Sequence, residues 1–152
     1  MKNTLAASFG LCLLLSACGG EAPDSDMPEG MDMSISDAPI GTVTILEPAN
    51  GAAVMGTSLT VRLSVAGFPI VVAGDMTPGT GHHHLYLDAD VADVTVPVPA
   101  VPGSIVHMGN AASEFTFENV TPGQHRLIAV VADGAHVPLH PLVVDTVMFS
   151  VR

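Results

Sequence analysis

Apolar and polar residues alternate strictly through several short stretches of this chain. In SLTVRLSVA, residues 58–66, Leu59, Val61, Leu63 and Val65 hold one parity while Ser58, Thr60, Arg62 and Ser64 hold the other. SEFTFEN repeats the pattern with Phe115 and Phe117, and VMFSVR with Val147, Phe149 and Val151. Successive side chains of a strand point to opposite faces, so a period of two marks half-buried strands. Turn-forming clusters separate the runs: EPANGA, TPGTG, AVPGS, NVTPGQ and ADGAH. Strands are predicted near 42–47, 58–66, 82–88, 95–99, 113–118, 125–132 and 143–151. The fold expected for 41–152 is all-β, an immunoglobulin-like antiparallel β-sandwich of about seven to eight strands.

The first forty residues follow another logic. Met1-Lys2-Asn3 opens with a positive charge, LAASFGLCLLL is apolar, and Leu15-Ser16-Ala17-Cys18 follows. These are the parts of a secretory signal, too short to stay in a bilayer as a transmembrane helix. LSAC resembles the lipobox of bacterial lipoproteins. That resemblance implies a signal peptide over 1–17 and an acylated Cys18 as the first mature residue. It also implies an exported protein anchored to the cell-envelope membrane, with Gly19 favouring the outer membrane. Residues 18–40 carry six acids and no base, and read as a flexible acidic linker. Met27, Met31 and Met33 are interleaved there, a pattern compatible with soft copper ions as well as with a plain solvated tether.

Charge and cysteine narrow the functional classes. After the signal, three arginines (Arg62, Arg126, Arg152) face fifteen acids, so nucleic acid is excluded as a partner. Cys12 leaves with the signal and Cys18 takes lipid, so neither disulfides nor thiolate metal sites are expected in the sandwich. No phosphate-binding glycine loop and no nucleophile elbow occurs.

Histidine is the unusual residue, seven against four Lys and Arg in total. Three stand together in GTGHHHLYLDAD. Antiparallel succession alternates the strand connections between the two ends of a sandwich. It predicts that His82 at the start of its strand, His107 and Met108 in a 100–112 connection, and His136 and His140 in a 133–142 connection share one end. Within the strand, His82 and His84 take the parity of Tyr86, and His83 that of Leu85 and Leu87. His82, His84, His107 and His136 are therefore the candidate ligands of a copper or zinc ion. Met108, His140, His83 and His125 are secondary candidates, with Met108 tilting the choice toward copper. Glu114 and Asp133 are candidate acceptors behind the imidazoles. For His83 the competing reading is a hydrogen-bonded core histidine. For His125, at the opposite end, it is a corner residue bonded to backbone, as a tyrosine often is in immunoglobulin-like folds.

VTILEPANGAAV and TPGQHRLIAVVAD resemble the first and sixth strands of bacterial immunoglobulin-like domains. HHHLYLD, then His107-Met108-Gly109, PGQHRL, Ala132-Asp133 and His136-Val137-Pro138 resemble the domain of unknown function 4399 family. The resemblance implies a bacterial, secreted or lipid-anchored protein and brings no activity with it. Where that family carries GQTE after the middle histidine, this chain has GNAASE, keeping Glu114. The leading expectation is a lipid-anchored, metal-binding envelope domain. The alternative is a non-enzymatic adhesive module meeting a protein or glycan of the envelope without metal. A metalloenzyme ranks third, since no general base or nucleophile accompanies the histidines.

Overall fold

The computed structural model describes residues 41–152; the expected signal peptide, Cys18 and the acidic linker lie outside them. Eight strands follow one another: β1 (Thr42–Glu47), β2 (Ala53–Val54), β3 (Leu59–Ala66), β4 (His82–Leu87), β5 (Ile105–Met108), β6 (Glu114–Phe117), β7 (Gly123–Ala132) and β8 (Val144–Val151). They form a β-sandwich of two sheets, ordered β1-β3-β6 and β2-β8-β7-β4-β5. Apart from a short parallel pairing of β2 with β8, the ladders are antiparallel. The third strand lies between the first and sixth, and the seventh between the eighth and fourth. This is the strand order of an immunoglobulin-like sandwich.

Alternation explains the core. Leu59, Val61 and Leu63 of β3 face Leu127, Ala129 and Val131 of β7, with Leu85, Leu87, Val147, Phe149 and Val151 completing one cluster. Burying each large apolar side chain contributes about 1.5–3 kcal/mol. β4 departs from the half-buried pattern, because all six of its residues are buried. It lies between β7 and β5, and its outer face is covered as well. Tyr86, Ile105, Ile128 and Val130 make a second, smaller cluster there against Ala89, Val91 and Val98 of the 89–101 segment.

That segment corrects the predicted strand at 95–99. In VTVPVP the valines alternate with prolines, which have no N–H to give a ladder. The chain instead crosses the sheet as a strap, held by the Val98 N–H donating to the His136 carbonyl at 2.9 Å. The strand belongs at 105–108. Ile105 serves the outer cluster while Val106 and Met108 serve the core, so no period of two betrays it.

At the end of the sandwich opposite His82, His125 is buried and both its ring nitrogens are engaged. Nδ1 meets Asp88 Oδ2 at 2.6 Å and Nε2 meets the Thr121 carbonyl at 2.7 Å. Two acceptors require two N–H donors, so the ring is an imidazolium. Burial alone would lower its pKa, but the bonds to Asp88 and Thr121 outweigh it and hold the value above the ordinary one. A raised histidine pKa stabilises the fold fully below about pH 6.5, and that contribution fades as pH rises through the folded value. Asp88 has a left-handed backbone (φ 55°) that asparagine also tolerates. Asp88→Asn is therefore expected to cost roughly 1 kcal/mol near pH 6, with the difference shrinking above pH 8, measured by urea unfolding at both pH values.

Candidate metal centre

The pleat of β4 sends His82 and His84 to the outer face of the five-stranded sheet. Beside them, β5 pairs His107 directly with His84. His136 arrives from the loop after β7. There Asp133 Oδ1 accepts the Ala135 and Val137 N–H groups at 2.9 Å each, and the His136 N–H donates to the Asp133 carbonyl at 2.9 Å. This knot turns the chain tightly enough to put His136 in the left-handed region at φ 68°.

Three ring nitrogens converge. His82 Nε2 lies 3.0 Å from His136 Nδ1 and 3.0 Å from His84 Nε2. All three fall within 4.8 Å of one another, the spacing of groups able to hold one metal ion. Nitrogens bound at about 2.0–2.1 Å stand about 2.9 Å apart at a right angle and about 3.4 Å apart in a tetrahedron. The observed contacts lie at the edge of that range. His107 packs its ring against the other three, with centroids 4.8 Å from His82, 4.9 Å from His84 and 4.2 Å from His136.

The electrostatics favour neutral rings. Burial, reinforced by neighbouring imidazoles, pushes His82 down to about 4 and His84 to about 3. His107 is also lowered, by burial and then by His136. At neutral pH an arriving cation finds no imidazolium to displace at His82 or His84. A neutral His82 has one N–H: on Nε2 it serves only one of two neighbours, and on Nδ1 it is buried without a protein partner. A cation bound through Nε2 would place the N–H on that Nδ1. His84 Nδ1 is likewise buried and unpartnered. Neither ring therefore has the outer acceptor that strengthens a tightly held metal ligand.

The placement of the ligands needs correction. The histidines lie on an outer sheet face near one end, and only His136 rides on a connecting loop. His107 and Met108 belong to β5, where alternation points His107 outward and Met108 into the core, 3 % exposed. With Met108 on the far side of the sheet, its thioether does not reach the histidines and gives no preference for copper. Glu114 does not back an imidazole; it accepts from Arg62 Nε at 2.8 Å on the opposite sheet. Asp133 spends Oδ1 on its own loop and acts by positioning His136. His83 faces the core, its Nδ1 donating to the Ala112 carbonyl at 3.1 Å. His125 is the corner residue described above, and His140 is exposed four residues beyond His136. Two contributors were not read from the sequence. The 89–101 strap covers the outer face, and Gly109 leaves room for His107: a Cβ there would stand 2.7 Å from His107 Nε2.

The sequence profile described as "Domain of unknown function (DUF4399)" matches residues 61–152, from β3 to the end of the chain and all seven histidines with it. The chain belongs to the DUF4399 family. No curated protein matches it significantly. Among solved structures, the crystal structure of an engineered protein is similar at 17% identity and a TM-score of 0.41, over 74% of this chain and 20% of that one. The chain thus spans about a fifth of that protein's length. Within DUF4399, the match includes every histidine of the candidate centre but not β1 and β2.

Proposed function

We propose that this DUF4399 protein is an exported, lipid-anchored domain of the cell envelope that binds a transition-metal ion through its histidine cluster. The observation that carries the reading is the convergence of His82, His84 and His136 ring nitrogens. Neutral imidazole is a borderline donor suited to zinc and copper. A net charge of −11 supports the approach of a cation from solution. The lipobox-like LSAC supports anchoring through an acylated Cys18, which would keep such a site at a membrane surface. The role is capture or buffering of the ion and not turnover.

Equilibrium dialysis of tag-free, metal-free protein against Zn(II) and Cu(II) tests this. One ion per chain is expected, with unfolding stability rising by about 2.7 kcal/mol at a hundredfold excess over Kd. Uptake no greater than that of the variant lacking His82, His84 and His136 would overturn it. A metal-free adhesive module is the second reading. It draws on the same 3.0 Å contacts, which are also the length of ring-to-ring hydrogen bonds.

A further inference from the structure

We infer that His107 closes a tetrahedral four-imidazole site for Zn(II), turning in from the solvent side as the ion loads. This rests on the metal-binding reading and adds to it a fourth ligand, a geometry and a direction of entry.

The geometry comes from six distances. The four ring centroids stand 4.7, 4.8, 4.9, 4.9, 5.7 and 4.2 Å apart. In a square, two opposite separations would both exceed the other four by about 1.4-fold, the pattern of a planar Cu(II) site. Here the longest, His84 to His136 at 5.7 Å, is opposite His82 to His107 at 4.8 Å. No opposite pair is long together, so the centroids form a slightly compressed tetrahedron. Rings bound to a tetrahedral ion at zinc distances have centroids about 5.2 Å apart. Loading therefore asks only a few tenths of an ångström of expansion.

The direction comes from burial. His82 and His84 are buried on the interior strand β4, and His136 is half-buried, its carbonyl tied to Val98. His107 alone is exposed, on the edge strand β5. Its Nε2 lies over the bare Cα of Gly109, and its nitrogens stand outside the converging group although its ring packs against all three. A turn about the Cβ–Cγ bond moves the nitrogens while leaving the centroid nearly in place. The tetrahedral position can thus be taken without moving the backbone. Three fixed donors and one turning donor make a site that admits the ion from the β5 side.

Cobalt(II) titration of the full chain tests the inference. The expected result is the intense visible band of four-coordinate Co(II), bleached when Zn(II) displaces it. His107→Ala should change that spectrum and weaken Zn(II) binding about tenfold or more, the least that even an outer-shell partner of a metal contributes. Its circular dichroism should stay that of the wild type, since the side chain is exposed. Weak six-coordinate bands in the wild type would overturn the inference, as would a His107→Ala protein with unchanged spectrum and affinity. In both cases metal still binds and the proposed function stands. Failure to take up either ion removes both.

Discussion

His84→Leu is expected to abolish tight metal binding while leaving the metal-free sandwich at least as stable as the wild type. His84 supplies one of the three converging nitrogens, and its loss leaves only His82 and His136 of that group, with the exposed His107 ring beside them. Zn(II) affinity should fall about a hundredfold or more, beyond the 10–100-fold that an outer-shell partner contributes. The stability term runs the other way. His84 is 1 % exposed, its Nδ1 has no partner, and burial holds the ring neutral. A buried unsatisfied polar group costs about 1–3 kcal/mol, and leucine fills similar space without one. Removing it should stabilise the metal-free protein by about 1 kcal/mol. Competition titration and urea unfolding of both proteins check the two halves. An unchanged Zn(II) affinity would remove His84 from the site; lost stability would mean its ring is better satisfied than the contacts indicate.

Acid should unfold the metal-free protein earlier than its carboxylates alone would dictate. His82 and His84 titrate near 6.5 in an unfolded chain but near about 4 and 3 when folded. Between those values the unfolded chain holds more protons, so stability is full above about pH 6.5 and is lost as pH falls toward the folded values. Each group contributes a slope of up to about 1.4 kcal/mol per pH unit. The two rings touch, so their protons come off as a pair and the effects do not simply add. His125 has the opposite sign: its contribution fades as pH rises. The metal-free protein should therefore be most stable near neutrality. The window from about pH 6.5 to 5 isolates the histidines, because carboxylates titrate lower. Urea midpoints across it should fall in the wild type and fall less in His84→Leu. Equal slopes would refute the assignment.

Much of the fold was present in the alternation of the chain. β3, β6 and β8 each bury one face, so their parity reads directly from Leu59, Phe117 and Phe149 and their neighbours. β5 buries apolar residues on both faces, and the same chemistry that makes it a good strand erased its signal. The Val-Pro repeat next door supplied a false one, since alternation records spacing and ignores whether an N–H is available. The expected gathering of histidines did not depend on that error. A rising strand at 95–99 or at 105–108 brings residue 107 to the same end of the sheet. Parity then separated His82 and His84 from His83, and His107 from Met108 once the strand was placed. Which surface the rings share was not accessible, because it depends on the 89–101 strap. Its residues meet the sheet only through tertiary contacts. The roles of Glu114 and Asp133 were similarly hidden, since carboxylates pair with whatever donor the fold brings near.

The knot around Asp133 gives the centre a fragility of its own. Three of the four rings are fixed by a pleat that the whole sandwich maintains, but His136 depends on a five-residue loop whose shape rests on one carboxylate. A single-residue insertion or deletion between β7 and β8 would swing that ring away while every ladder stayed intact. On the proposed metal-binding reading, descendants of this chain could in that way lose the site and keep the scaffold, so histidine content at 82 and 84 alone would be a poor guide to which of them have it.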